Sequence, residues 1–331
     1  MSRNKLRWGV ISTANIGRWA VNPAIQASGN GELLAVASRR PDTARDFAAK
    51  WNIPRHYGSY AELLDDPEID AVYVPLPNSL HREWAIRAAH AGKHVLCEKP
   101  LGLTAAECHE MGAAAAANNV TFMEAFMYRF HPRTERVLEL IGEGVVGDLK
   151  MIRSVFTFRL TNPDNIRLQS ELGGGSLLDV GCYCINVSRT MAGREPLEVQ
   201  AFATPAPSGV DDMMAGTLRF ADGLLATFEC GLNTKRREAY EIAGTEACLG
   251  IPDAFLPGDQ DVVIEELRDG QEPIIHTVAG VDEYQCMVEH FADCALNGRD
   301  PRYSTDEAAL NMRVIEALYE SSGAAGKPVM V

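Results

Sequence analysis

Apolar positions in the first third of the chain fall in short continuous runs. LRWGVIS (6–12), ELLAVAS (32–38), DAVYVPL (70–76), KHVLCEK (93–99) and VTFMEAF (120–126) are each short enough to read as buried strands. Between them the apolar spacing lengthens to three and four. In PDTARDFAAKW (41–51) this puts Ala44, Phe47, Ala48 and Trp51 on one face, and the windows 79–91 and 104–118 follow the same helical rule. IGRWAVNPAIQAS is helical as well, with Pro23 implying a kink or a shifted start. Strand–helix alternation of this kind predicts a parallel sheet with right-handed crossovers. Ligands of such sheets bind beyond the carboxyl ends of the strands.

After about residue 127 the pattern changes. LKMIRSVFTFRL (149–160), LEVQAFATPA, MAGTLRF, LLATFECGL and VVIEEL read as longer strands, and Ala-Asp-Gly at 221–223 joins two of them in a hairpin. Near the end, 304-STDE-307 is a capping box that opens a helix running to about Ser322. The expected fold is α/β: a doubly wound parallel sheet over 1–125, then an α+β domain over 126–331 with a large, mostly antiparallel open sheet. The closing helix, about 305–322, is expected to pack near the first domain. A chain of 331 residues with 46% hydrophobic content is long enough for both cores.

Composition removes several function classes. The net charge is −14 with the acidic residues scattered, which disfavours nucleic acid and anionic membrane surfaces as partners. No apolar run reaches the roughly 18 residues of a membrane span, and the N-terminus lacks the apolar core of a signal peptide. The eight cysteines lie mostly in apolar segments, and Cys182-x-Cys184 lacks the spacing of a zinc or redox motif. Buried reduced thiols in a cytoplasmic protein are the expectation. The eight histidines form no HExxH or His-x-His set, so no metal is expected.

The chemistry begins at 11-ISTANIG-17. A dinucleotide-binding turn reads Gly-x-Gly-x-x-Gly, and here Ser12 and Ala14 replace the first two glycines while Gly17 keeps the third. The turn must let backbone N–H groups approach a pyrophosphate closely. Ser12, Thr13, Ala14, Asn15 and Ile16 would line that approach, and Ser12 adds a hydroxyl. Taken alone, the stretch reads equally as a cofactor turn or as a strand–helix joint. The next strand ends in 36-VASRRPD-42, where an NAD site commonly carries a carboxylate for the ribose 2′-hydroxyl. Ser38, Arg39 and Arg40 stand there instead and suit a 2′-phosphate, which favours NADP over NAD. Further strand ends add 75-PLPNSLH-81, with Pro75, Leu76, Asn78 and His81 at the same cleft edge, and 97-CEKP-100, with Glu98 and Lys99. In 173-GGGSLLDVGCYCIN-186, Asp179 and Tyr183 are four apart and share a helix face.

Through AVASR, PLPNSLH, CEKP, EAFMYRFHP and GGGSLLDVGCYCIN, the chain resembles the Gfo/Idh/MocA oxidoreductase family over essentially its whole length. The resemblance is nearest to the branch of dimeric dihydrodiol dehydrogenases, NADP-dependent D-xylose dehydrogenases and glucose–fructose oxidoreductase. It implies a Rossmann domain for NADP and a second domain for substrate binding and dimerisation. It also implies an enzyme acting on CH–OH groups of a sugar or polyol, as a homodimer or higher homo-oligomer. Lys99 would then sit near the nicotinamide and the reacting oxygen, and Tyr183 would be the general acid/base. Asp179 would bond a substrate hydroxyl or orient Lys99. Arg167 and Tyr128 would bind substrate, with Arg129, Asn186 and Tyr284 as further cleft candidates. A tyrosine ordinarily titrates near about pH 10, and a neighbouring ammonium brings it toward neutrality. The implied reaction is aldose oxidation to a lactone or the reverse carbonyl reduction. Trans-dihydrodiol oxidation, anhydrofructose or sugar-nucleotide ketoreduction, and a non-catalytic NADP sensor are the alternatives.

Overall fold

A computed structural model describes residues 4–331. They divide into two compact units: the chain up to Met127 with Tyr284–Ala309, and Tyr128–Glu283 with Leu310–Val331.

The first unit is built on six parallel strands: β1 (Leu6–Ile11), β2 (Gly31–Ala37), β3 (Arg55–Tyr57), β4 (Ala71–Val74), β5 (His94–Glu98) and β6 (Phe122–Ala125). Their order is β3-β2-β1-β4-β5-β6. Every strand after β1 is entered from the same end because a helical crossover precedes it, as the alternating runs predict. Helices α1 (Asn22–Ala27), α2 (Pro41–Trp51), α3 (Tyr60–Leu64), α4 (His81–His90) and α5 (Ala105–Ala117) provide these crossovers. The strand order reverses between β1 and β4, which makes their carboxyl ends the switch point where ligands bind. Pro23 has the expected effect. The helix after β1 widens into a π-turn at Gly17–Val21, and Pro23 falls in the first turn of α1, where its missing N–H costs least.

The sequence assigns 126–331 to one domain, whereas Tyr284–Ala309 groups with the first unit. The reason is local packing. Phe291 of α8 (Glu283–Asn297) lies with its ring 5.2 Å from that of Trp8, and Glu289 accepts the Gly29 N–H at 3.0 Å.

In the second unit α6 (Pro132–Gly142) leads into nine strands: β7 (Leu149–Arg159), β8 (Glu198–Pro205), β9 (Asp211–Arg219), β10 (Leu225–Gly231), β11 (Asn233–Gly244), β12 (Cys248–Pro252), β13 (Val262–Leu267), β14 (Ile274–Val278) and β15 (Val329–Met330). They run in the order β14-β13-β12-β11-β7-β10-β9-β8-β15. All pairs are antiparallel except β10 against β7. The Ala221–Gly223 turn joins β9 to β10 as expected, with Asp222 in the left-handed region. One face is buried, with Ile152, Phe156, Met214 and Leu218 on it, and α7 (Cys182–Ala192) packs against its strands β7 and β10. The other alternates outward and lines an open concavity of about 760 Å³. Ser304 caps α9 (Thr305–Gly323), its hydroxyl accepting the Glu307 N–H at 3.3 Å. Six cysteines are buried, Cys248 and Cys286 are half-buried, and none is in a disulfide. Among the described residues no helix is long and apolar enough to cross a membrane.

Candidate functional site

The turn after β1 holds Ser12 at φ 137°, a backbone conformation that glycine adopts without strain. The substitution is supported by the side chain itself. The Ser12 hydroxyl donates to the Pro75 carbonyl at 3.2 Å and accepts the Ala14 N–H at 3.1 Å. The side chain ties the β1 turn to the β4 turn across the switch point. The first helical bond runs from Arg18 N–H to the Ala14 carbonyl. The amides of Asn15, Ile16 and Gly17 thus have no acceptor in a preceding helical turn, which is the arrangement that binds a pyrophosphate. Asn15 is exposed and Thr13, Ala14 and Ile16 are half-buried, so the backbone here is approachable.

At the end of β2 the buried Ser38 accepts the Arg40 N–H through its hydroxyl at 3.3 Å, fixing the turn. Arg39 and Arg40 are exposed. The next carboxylate along the chain, Asp42, lies inside α2 and pairs with Arg45 at 2.8 Å. The residues present fit a dinucleotide carrying an extra phosphate on its ribose.

The ends of β4 and β5 are locked from behind. Pro75 and Leu76 are buried, and Asn78 opens a single turn leading into α4. His81, expected at the cofactor edge, is fully buried with Nδ1 3.0 Å from the Pro100 carbonyl and Nε2 2.9 Å from that of Leu76. It is a strut between the two loops rather than a surface contact, because both ring nitrogens are taken; burial pushes its pKa down. Glu98 is also buried; it accepts the Tyr73 hydroxyl proton and the Lys99 N–H. Glu124 at the end of β6 accepts the Leu101 N–H at 2.7 Å. Lys99 stands half-buried between these anchors.

In the second unit a π-turn at Leu177–Gly181 runs into α7 and carries Asp179, with Tyr183 in the first turn of α7. Arg167 Nε donates to Asp179 Oδ2 at 2.6 Å, so the two candidates form one ion pair. Gly174 makes the approach possible, since a Cβ there would lie 2.5 Å from the Arg167 carbonyl oxygen. The Tyr183 ring packs at 6.0 Å from Tyr128, 5.4 Å from Phe156 and 5.3 Å from Phe255. Tyr128, expected to bind substrate, is fully buried and donates its hydroxyl to Asn186 Oδ1 at 2.6 Å. Its ring packs beside that of Tyr183, and Arg129 and Asn186 are buried with it. Phe255 and Tyr73 carried no motif that would have singled them out, and Glu124 opens EAFMYRFHP without marking itself as a support for the Lys99 loop.

A turn of open helix-start amides at the switch point and cations at the end of β2 are the features of a dinucleotide-binding domain. Residues 6–126 match the oxidoreductase family with an NAD-binding Rossmann fold, and 134–249 match the GFO/IDH/MocA C-terminal domain. The chain belongs to the Gfo/Idh/MocA family. It is 40% identical to D-xylose 1-dehydrogenase (NADP(+)) 2 of Haloferax volcanii, over 96% of this chain and 97% of that protein. It is 31% identical to trans-1,2-dihydrobenzene-1,2-diol dehydrogenase of Mus musculus, over 96% and 97%. A 3-ketoreductase from Actinomadura kijaniata, solved with NADP and TDP-benzene, superposes with a TM-score of 0.92 at 30% identity, covering 96% of this chain and 98% of that one.

Proposed function

We propose that this oxidoreductase uses NADP to move a hydride to or from a carbon of a neutral sugar or polyol. Oxidation of an aldose at its anomeric carbon to the lactone is the leading reaction, in either direction. The observation that carries the reading is the Arg167–Asp179 pair one turn ahead of Tyr183. An ion pair offers donors and an acceptor with little net charge, which suits vicinal hydroxyls better than an anionic substrate group. Arg39 and Arg40 support NADP, as do the names of the relatives.

When bound, the nicotinamide supplies the hydride acceptor or donor. In oxidation Tyr183 takes the substrate hydroxyl proton as the hydride leaves the same carbon; in reduction it returns that proton to the new alkoxide. The Lys99 ammonium is the group proposed to stabilise the developing oxyanion. Arg167 and Asp179 hold neighbouring hydroxyls. A second copy of the chain is the proposed occupant of the open sheet face.

The test is a screen of aldoses, polyols, trans-dihydrodiols and nucleotide-linked ketosugars with NADP and NAD, following absorbance of the reduced nicotinamide. Tyr183→Phe is expected to lower turnover on the best substrate by about 10²-fold while NADP binding stays intact. Turnover unchanged in that variant refutes the acid/base assignment. NADP binding without turnover of any compound points instead to a cofactor sensor.

A further inference from the structure

The turn Leu177–Gly181 that carries Asp179 and leads to Tyr183 has Ser176 at its capping position, and the Ser176 side chain makes no capping hydrogen bond to it. The cap comes from elsewhere. Asp211, the first residue of β9, points a buried carboxylate at this helix start. Its Oδ2 accepts the Leu177 N–H at 2.7 Å and the Ser176 hydroxyl at 2.7 Å. Its Oδ1 accepts the Tyr319 hydroxyl of α9 at 2.8 Å. The last glycine of 173-GGG-175 is what admits it: Gly175 lies at φ 123°, and a Cβ there would sit 2.2 Å from Asp211 Oδ1. Burial pushes the Asp211 carboxyl up, and the three donors oppose that shift.

We propose that Asp211 is a positioning residue for the reaction. It caps the helix start from outside the helix and so fixes the placement of Asp179 and Tyr183. One carboxylate joins β9, the helix start and α9, which are three separate elements. A first-turn amide has no partner inside its own helix, and a carboxylate is the strongest acceptor it can be given. Asp179 is two residues beyond Leu177 and Tyr183 little more than one further turn, so a shift of the first turn displaces both. The proposal rests on the assignment of Tyr183 and Asp179 to the reaction, and the experiment separates the two.

Asp211→Asn in the full chain sets an amide group among three donors at nearly constant volume. Hydrogen exchange of the amides at 177–183 is expected to speed up by about tenfold or more. On the substrate the screen identifies, kcat is expected to fall by about tenfold or more. The Kd for NADPH, read from nicotinamide fluorescence, is expected to stay within about twofold. A purely structural role would lower Tm but leave kcat per folded molecule intact. Wild-type exchange at 177–183, or unchanged kcat, overturns the proposal, and so does a loss of NADPH binding in step with turnover. If Asp211→Asn does not fold, Ser176→Ala and Tyr319→Phe each remove one donor. Both are then expected to show the same pattern at smaller amplitude, and wild-type exchange in both overturns it. If the wild type turns nothing over, the function reading fails while the exchange measurement still decides this one.

Discussion

Arg39 and Arg40 follow directly on β2 and stand exposed, with Ser38 holding their turn by its bond to the Arg40 N–H. A ribose phosphate placed there meets guanidinium donors, whereas the strand ends in no carboxylate for a bare 2′-hydroxyl. Charge-assisted bonds to phosphate are roughly twice as strong as neutral ones. Arg39→Ala should therefore raise the Kd for NADP by about tenfold or more and that for NAD by less than about twofold. Equal losses for both cofactors in a titration would remove the 2′-phosphate argument. Ser12 shows how far a single residue can be read. Its replacement of glycine was plain in the chain, and its small side chain was compatible with a cofactor turn. That its hydroxyl closes onto Pro75 was not readable, because the partner lies 63 residues away and depends on β1 and β4 being neighbours.

At the level of elements, strands and helices of the first unit were readable because a parallel sheet buries both faces, leaving continuous apolar runs. The Ser304 cap and the 221–223 turn were readable because both are local. What escaped were features made by distant pairs: the Asp211 cap, the His81 strut and the parallel pairing of β10 with β7. Helix α8 shows the same conflict between local rule and burial. A helix start favours a carboxylate, yet its first residue, Glu283, is 3% exposed. Burial, with a contribution from Asp282, pushes its pKa up to about 7, against backbone hydrogen bonds at Glu283 and Gly258. The folded state therefore holds this proton more tightly than the unfolded chain, where the ordinary value is 4.5. The stability from Glu283 is complete below that value, falls as pH rises toward about 7, and levels off above it. Glu283→Gln has no such proton. Its stability relative to wild type should rise across this window, by about 3 kcal/mol at most. Chemical denaturation at several pH values measures it, and a pH-independent difference would show that Glu283 titrates normally.

On the scale of the whole molecule, the nine-stranded sheet has one broad face that no layer covers among the described residues. That face carries small residues such as Ala215, Thr217 and Ala239, flanked by the cross-strand pairs Arg153–Glu241 at 3.1 Å and Arg237–Glu229. Phe202 stands at its side, 62% exposed. Small side chains let another sheet approach closely, and paired charges reduce the desolvation cost of covering the rim. A two-fold axis through such a face buries the same residues twice. Burying one phenylalanine contributes roughly 1.5–3 kcal/mol, so two contribute roughly 3–6 kcal/mol to a dimer. Phe202→Asp removes both and adds two charges to the contact. The expected outcome is a wild type with the mass of a dimer in light scattering and a variant that dissociates with its circular dichroism unchanged. By the same figures the dimer Kd should rise by about 10²-fold to 10⁴-fold. A variant that keeps the wild-type mass at micromolar concentration would place the contact between copies elsewhere than on this face.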